Sequence, residues 1–149
     1  MRTLVQRVRY ARVRVDGTVV GEIGPGLLVF VAFAPTDTAE VLRWMAHKLL
    51  HLRIFPDATG RMNRSLQEVR GGLLVVSQFT LYGDVRRGFR PSFTDAASPD
   101  QARRLYEEFL QLCRQYPVPV ACGVFGAMME VELLNDGPVT IWIEREAGE

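Results

Sequence analysis

The chain has 149 residues, of which 48% are hydrophobic and 23% are charged, and its formal net charge is +1 at pH 7. This length and composition favour a single globular domain over residues 1–149, and a balance so close to neutral gives no support to a strongly basic nucleic-acid binder or a membrane-surface protein. No stretch reaches the apolar length of a membrane span and no apolar signal segment opens the chain, so we expect a cytoplasmic protein without a membrane partner. The two cysteines, Cys113 and Cys122, are too few for a disulfide framework and are expected to be reduced.

The first third of the chain is predicted to contribute strands joined by tight turns. Apolar and charged residues alternate strictly over residues 12–15, which is the pattern of a strand with one buried face. Asp16-Gly17 is a strong hairpin signal, and Gly24-Pro25-Gly26 marks a second turn. Residues 27–33 are continuously apolar, which predicts a strand in the middle of a sheet.

Two amphipathic helices are predicted. The first runs from Asp37 to about Leu52, with Asp37 as its N-cap and Glu40 at the capping-box position. The second begins at Ser98, whose hydroxyl is the predicted N-cap in front of a proline, and Pro117 ends it.

The most informative stretch runs from Gly71 to Thr80. Four aliphatic residues, 73–76, follow a glycine pair, and a short apolar run with β-branched members predicts a strand buried on both faces. Ser77, Gln78 and Thr80 come where this strand leaves the core. Either the rigid strand end holds these polar groups in place as part of a site, or they cap the strand with satisfied hydrogen bonds. The residues alone favour neither reading.

A long loop is predicted from Tyr82 to Ser98, and a shorter one over residues 56–64. The long loop interleaves three arginines with two phenylalanines, namely Arg86, Arg87, Phe89, Arg90 and Phe93. Such a set can contact phosphates through arginine and stack aromatic rings on bases. The alternative is a solvated loop with two anchoring aromatic side chains, which the loop taken alone slightly favours.

The last third is predicted to hold three further strands. Residues 118–123 are interpreted as an edge strand, because prolines flank them. A strand over 131–134, a turn at Asn135-Asp136-Gly137-Pro138 and a final strand over 139–143 complete the chain. The fold class we predict is α+β: one domain with mixed and antiparallel strands in a barrel-like core and two main helices packed on one face.

The residues do not assemble an ordinary hydrolase site. The chain has no GxSxG elbow, and its two histidines, His47 and His51, both lie on the first predicted helix. Their spacing can hold a metal, but no HExxH pattern or nearby cysteine supports one, so we predict neither metal nor cofactor. A Ser or Thr hydroxyl needs a base to become a nucleophile. Catalysis, if present, is therefore expected to rest on backbone donors and on groups of the substrate.

Two motifs resemble the signatures of the D-aminoacyl-tRNA deacylase family, formerly D-tyrosyl-tRNA deacylase. They are Ser77-Gln78-Phe79-Thr80 and Asn135-Asp136-Gly137-Pro138-Val139-Thr140. The likeness extends over nearly the whole chain, since further segments follow in family order. These are residues 6–8, 24–28, 53–55, 90–93, 97–99 and 125–129.

The resemblance implies hydrolysis of the ester that joins a D-amino acid to the 3′-terminal adenosine of tRNA. It also implies a homodimer with active sites at the subunit interface. Gly137-Pro138 matches the family's Gly-cis-Pro motif, which one subunit inserts into the pocket of the other. A rigid turn of this kind would reject an L side chain with main chain alone, so any D-residue should pass. Glycyl-tRNA is an expected second substrate because glycine is achiral.

The resemblance also suggests roles for single residues. Ser77, Gln78, Phe79 and Thr80 match the other pocket wall, where amides near Phe79 and Thr80 are candidates for an oxyanion hole. Thr80 is either a nucleophile or a positioning group that leaves assistance to the adenosine 2′-hydroxyl; the missing base favours the second role.

Further roles concern binding. Phe125 and Met129 match positions that pack against the terminal adenine, although both could be simple core residues. Arg7 is expected to hydrogen-bond the Gly137-Pro138 turn.

Independently of the family, Arg86, Arg87 and Arg90 are our candidates for tRNA phosphate contacts. Two other functions remain open at this point: a non-catalytic RNA-binding protein, and an esterase with Thr80 as covalent nucleophile.

Overall fold

The computed structural model describes residues 1–149 and confirms the predicted α+β class, with one domain, eight strands and two α-helices. A single 3₁₀ turn spans Phe79–Tyr82. The strands are β1 (Arg2–Val15), β2 (Thr18–Ile23), β3 (Gly26–Ala32), β4 (Phe55–Pro56), β5 (Met62–Arg64), β6 (Gly72–Ser77), β7 (Val120–Cys122) and β8 (Glu130–Glu144), and the helices are α1 (Ala39–His51) and α2 (Pro99–Cys113).

The main sheet has six strands in the order β2-β1-β3-β6-β7, with β8 pairing along the other side of β1. The long strand β1 pairs with β3 through its first half and with β2 through its second half. β3, β6 and β7 run parallel to one another. The sheet nearly closes into a barrel, because β2 passes so near β7 that a Cβ on Gly21 would lie 2.3 Å from the carbonyl oxygen of Cys122.

The central strands β3 and β6 are buried on both faces, as predicted. On one face, side chains such as Val29 and Val75 pack under α1 and α2 in the larger core cluster. On the other face, Leu28, Leu74 and Val76 fill the inside of the barrel. The alternation of strand side chains thus divides one apolar run between two cores. No helix in the structure is long and apolar enough to cross a membrane.

Local turn and cap chemistry explains several element boundaries. Asp16 and Gly17 both have positive φ, 49° and 79°, which is the backbone of the predicted hairpin turn between β1 and β2. Ser98 caps α2 by accepting a hydrogen bond from the Gln101 N–H at 3.3 Å, and Pro99 occupies the first turn.

The predicted N-cap of α1 is wrong by one residue. Thr38 is the cap, and its hydroxyl accepts from the Val41 N–H. The Asp37 carboxylate is instead buried, where it accepts from the Met1 ammonium group at 2.8 Å and from the Ala34 N–H at 2.8 Å. A buried cation offers this carboxylate a stronger partner than a helix amide, and Thr38 is the next residue able to cap.

Two other boundaries also differ from the prediction. The predicted loop over residues 56–64 is not open, because β4 at its start pairs antiparallel with β5 at its end, Phe55 with Arg64 and Pro56 with Met62. Residues 135–138 do not separate two strands; they lie within the single strand β8, where the pairing with β1 shifts register between Gln6 and Tyr10. A turn-like sequence can form a bulge within a strand when the residues before and after it pair with the same long neighbouring strand.

Candidate active site

The Ser77-Gln78-Phe79-Thr80 segment lies at the carboxyl end of the central parallel strands. Ser77 is the last residue of β6, and Gln78 N–H donates to the carbonyl of Val31 at 2.7 Å before the chain turns into the 3₁₀ turn. The side chains of Phe79 and Thr80 are exposed. The segment therefore presents its side chains at the edge where the parallel strands β3 and β6 end.

The Thr80 hydroxyl has no base beside it in the chain. Its hydrogen-bond partner is the side-chain amide of Gln78, which donates to Thr80 Oγ1. An amide does not accept a proton at neutral pH. Burial raises the pKa values of the Tyr82 and Tyr106 phenols, so both stay protonated at neutral pH and neither can act as a base.

The 3₁₀ turn is held in place from two sides. Arg2 donates to the Leu81 carbonyl at 2.9 Å, and its guanidinium lies 4.3 Å from the centre of the Tyr82 ring. On the other side, the rings of Phe79 and Phe93 meet edge to face with centroids 5.1 Å apart. The amide N–H groups that begin such a turn have no acceptor within it, so they are available to a ligand oxygen.

Phe125 lies at the same edge of the sheet. Its ring is 5.8 Å from that of Tyr106, whose hydroxyl donates to the Val75 carbonyl of β6 at 2.9 Å. The guanidinium of Arg103, from α2, covers Phe125 at 4.7 Å from the ring centre. Phe125 is therefore linked through Tyr106 to β6 at Val75.

Met129 packs against a different core cluster from Phe125. It is half-buried against the barrel core, and its sulfur would be 2.6 Å from a Cβ placed on Gly123. Its contacts within the chain are those of a packing residue.

The Gly137-Pro138 turn is braced by hydrogen bonds from β1 and from its own flanks. The peptide bond between the two residues is cis. The buried Arg7 donates to the Asp136 carbonyl at 3.2 Å and to the Ile54 carbonyl at 2.6 Å. Asn135 donates its side-chain amide to the carbonyls of Arg7 and Val139 at 3.0 and 3.1 Å. Gly137 and Pro138 themselves are exposed, so the turn is a fixed main-chain projection.

One chain does not bring these two halves together. The turn lies at the level of Arg7, which pairs with Leu27, whereas Ser77 pairs with Val31. Four residues along β3 correspond to about 13 Å, and the three strand spacings from β8 to β6 add about 14 Å across the sheet. The turn and the Thr80 segment are therefore separate surfaces of the monomer.

The 82–98 loop has a closed base and an open tip. Asp84 and Ser92 exchange backbone hydrogen bonds at 2.7 and 3.0 Å. Arg86 is tied to the Asp84 carboxylate, with its Nη2 2.7 Å from Oδ2, and this pairing lowers the pKa of Asp84 to about 2. Phe89 is fully exposed, so the prediction that it anchors the loop is wrong, whereas Phe93 does pack against Phe79.

Sequence reasoning missed the residues that support the site from a distance in the chain. Arg2, Arg103 and Tyr106 have no local signal, because each contact is made between elements that only the fold brings together. The two histidines of α1 contact each other: the ring centroids of His47 and His51 are 4.1 Å apart, and His51 Nδ1 hydrogen-bonds the His47 carbonyl.

The comparison with known proteins decides the family. The model of the D-Tyr-tRNA(Tyr) deacylase family matches residues 4–144. The chain belongs to the D-aminoacyl-tRNA deacylase family. It is accordingly an enzyme, a hydrolase.

Relatives in this family are similar over almost their full length. The D-aminoacyl-tRNA deacylase of Deinococcus radiodurans is 56% identical over 144 residues, covering 97% of this chain and 99% of the relative. The enzyme of the same name from Heliobacterium modesticaldum is 54% identical over 149 residues, covering 100% of this chain and 99% of its own.

Solved structures agree with the fold. The structure titled c-Myc DNA Unwinding Element Binding Protein superposes with a TM-score of 0.93 at 40% identity, covering 99% of this chain and all of the other. A probable eukaryotic D-amino acid tRNA deacylase superposes with a TM-score of 0.81 at 23% identity, covering 95% and 97%, and this likeness concerns the fold alone.

Proposed function

We propose that the protein hydrolyses the ester bond of D-aminoacyl-tRNA and releases the free D-amino acid and tRNA. In this reaction a water oxygen bonds to the ester carbonyl carbon, the bond from that carbon to the ribose 3′-oxygen breaks, and the leaving oxygen takes a proton. The observation that carries the proposal is the full-length family match together with an exposed hydroxyl and amide segment at the end of β6. Since aminoacyl-tRNA is used in translation, we place the reaction in the cytoplasm.

Chiral selection in this proposal is performed by main chain. The Gly137-Pro138 turn presents backbone carbonyls, and Arg7 and Asn135 hold that backbone in place. A carbonyl directed at the α-carbon collides with an L side chain and leaves a D side chain free. Because no side-chain pocket takes part, D-residues of different size are accepted, and glycyl-tRNA is a second substrate.

The active site in this proposal is shared by two copies of the chain. Thr80 and the Gly137 turn lie on separate surfaces of one monomer, so a homodimer in which each copy lends its turn to the other supplies the complete pocket. Cyclic two-fold dimers place the same pair of surfaces together twice, which gives two equivalent sites.

Thr80 is proposed to position the substrate rather than to attack it. The only hydrogen-bond partner of its hydroxyl in the chain is the Gln78 side-chain amide, which cannot remove the hydroxyl proton. The amides at the start of the 3₁₀ turn would stabilise the developing oxyanion, with Phe79 and Ser77 framing the pocket, and the terminal adenosine 2′-hydroxyl would assist attack by water. Phe125 and Met129 would both pack against the terminal adenine.

The direct test compares D-tyrosyl-tRNA with L-tyrosyl-tRNA under single turnover. We expect rapid release from the D-form and no release from the L-form above the rate without enzyme. Equal hydrolysis of both would disprove chiral selection, and salt-sensitive tRNA binding without any turnover would favour a non-catalytic RNA-binding protein instead.

The role of Thr80 is tested with the same substrate. Thr80→Ala is expected to retain hydrolysis within about tenfold, whereas wild-type enzyme should be nearly inactive on D-tyrosyl-tRNA that ends in 2′-deoxyadenosine. An inactive Thr80→Ala variant together with an acyl-enzyme trapped by denaturation would establish the covalent esterase.

A further inference from the structure

The tip of the 82–98 loop carries an aromatic ring that has no packing partner. Phe89 is fully exposed, next to Gly88, whose φ of 65° turns the chain at the tip. A single exposed apolar side chain is common on protein surfaces, so the meaning of this ring depends on the groups that surround it. The sequence left two roles open for this ring, stacking on a base or anchoring the loop. The structure excludes anchoring, because Phe89 packs against no other residue.

The charges around Phe89 are free to meet an anion. Arg87 and Arg90 are exposed and make no ion pair or side-chain hydrogen bond in the structure. Arg86, by contrast, is already held by Asp84 and helps to fix the shape of the loop. The tip therefore presents one flat ring between two unpaired guanidinium groups, which is the composition of a stacking platform on a polyanion.

The base of the loop joins this tip to the candidate active site. Phe93, at the base, packs edge to face on Phe79, and a Cβ on Gly83 would lie 2.9 Å from the Thr80 carbonyl and 3.1 Å from Phe93. Four residues separate Phe93 from Phe89, and an extended chain of that length reaches about 13 Å. Stacked nucleotides are spaced at about 3.4 Å along one strand, so the tip lies within about four nucleotides of the pocket.

We propose that Phe89 stacks on an unpaired base of the tRNA 3′ end, upstream of the terminal adenosine, while Arg87 and Arg90 contact the adjoining phosphates. This inference rests on the proposed function, and it specifies which part of the tRNA substrate the 82–98 loop contacts. The partner is a single strand rather than the acceptor duplex, because the bases of an A-form helix are stacked on one another and only unpaired bases offer a free face. The contact supplies affinity and takes no part in the chemical step.

The experiment measures kcat and KM for two substrates that share the reacting ester. One is D-tyrosyl-tRNA and the other is 3′-O-D-tyrosyl-adenosine, which lacks every upstream nucleotide. Phe89→Ala should raise KM for the tRNA substrate about tenfold with kcat unchanged, since stacking of one base contributes about 1–3 kcal/mol. The same variant should act on the adenosine ester as the wild type does, and Phe89→Trp should restore the tRNA KM.

Val85→Ala is the matched control, because it removes an exposed apolar side chain from the same loop without removing a ring. Its KM values should equal those of the wild type. D-tyrosyl-tRNA substrates with a single abasic nucleotide then identify the contacted base. At one position, removal of the base should raise the KM of the wild type as much as Phe89→Ala does. The same abasic substrate should cause no further rise in the KM of the Phe89→Ala variant.

Three results for Phe89→Ala would overturn the proposal. The first is an unchanged KM for the tRNA substrate, and the second is an equal rise in KM for both substrates. The third is loss of the dimer in sedimentation velocity, which would make Phe89 a contact between two copies of the chain. Binding of uncharged tRNA, followed by fluorescence anisotropy, keeps the test separate from the proposed activity. If the wild type hydrolyses neither D-ester, the proposed function fails, whereas weaker tRNA binding by Phe89→Ala would still support the stacking contact.

Discussion

At the scale of single residues, the geometry of Gly137 is the most constrained feature of the candidate site. Its φ is 120°, a conformation that L side chains rarely adopt. A Cβ there would lie 2.7 Å from the Arg7 guanidinium and 3.0 Å from the Val139 side chain. Arg7 cannot move away easily, because it is buried and donates to the carbonyls of Ile54 and Asp136. The position of Arg7 therefore requires a glycine at residue 137, and the conformation of Gly137 is held by the hydrogen bonds of Arg7.

We expect Gly137→Ala to impair both stability and chiral selection. Backbone strain of this kind costs about 1–3 kcal/mol, which corresponds to a fall in Tm of about 2–4 °C per kcal/mol for a chain of this size. The displaced turn should also hydrolyse D-tyrosyl-tRNA more slowly and discriminate less against the L-form. Calorimetry and single-turnover assays measure the two effects.

Gly60→Ala provides the control for this substitution. Gly60 has a φ of 82°, yet nothing lies within 4 Å of the position of its Cβ. The control should lose stability through backbone strain alone and keep its chiral selectivity. A Gly137→Ala enzyme that rejects L-tyrosyl-tRNA as strongly as the wild type would contradict main-chain selection.

At the scale of elements, the 82–98 loop is shaped by one ion pair at its base. Arg86 donates from Nε, Nη2 and its backbone N–H to the Asp84 carboxylate at 2.9, 2.7 and 3.0 Å. These bonds favour the ionised carboxylate and lower the pKa of Asp84 to about 2. Since the folded pKa lies below the unfolded value of about 3.9, the pairing is complete above pH 4 and is lost as the pH falls towards 2. The loop should therefore keep one shape throughout the neutral range.

Carbon-detected NMR of the aspartate carboxyl groups checks this assignment. Asp84 should titrate with a pKa of about 2 in the wild type. Arg86→Ala should raise that pKa towards the usual value of about 3.9, because the hydrogen bonds to the carboxylate disappear. Arg87→Ala serves as the comparison and should leave the titration unchanged. A normal Asp84 pKa in the wild type would show that the loop is not closed by this pair.

At the scale of the whole molecule, the separation of two surfaces determines the assembly that we propose. The Thr80 segment follows β6, which pairs with β3 on one side of β1, whereas the Gly137 turn belongs to β8 on the other side of β1. A rigid sheet cannot fold these two surfaces onto each other within one chain. A second copy, related by two-fold symmetry, can place its turn against the first copy's Thr80 segment.

Mixing two impaired variants tests the shared site. Thr80→Tyr is designed to fill the pocket on one surface, and Gly137→Ala to displace the turn on the other. In a mixed dimer one site receives both substitutions and the other receives none, so random reassociation should raise the activity to at least about one quarter of the wild-type value. Each variant alone should keep its own reduced activity after the same treatment. A mixture that gains no activity, although mixed dimers are detected by mass spectrometry, would place the complete site within one chain.

The sequence by itself determined those features that depend on neighbouring residues. The Asp16-Gly17 hairpin, the Ser98 cap of α2 and the buried strand over 73–76 follow from local backbone preference and apolar runs, and the structure confirms each of them. The two family motifs likewise follow from the order of residues, and the comparison confirms the family.

Only the tertiary structure decided the features that depend on groups distant in the chain. Asp37 does not cap α1, because its carboxylate binds the Met1 ammonium group at 2.8 Å. Residues 135–138 lie within one strand, because β1 pairs with the segments on both sides of them. Arg2, Arg103 and Tyr106 support the candidate site through contacts between separate elements. Local preferences are smaller than the free energy of satisfying a buried charge or a continuous strand pairing, so tertiary contacts determine the outcome wherever the two compete.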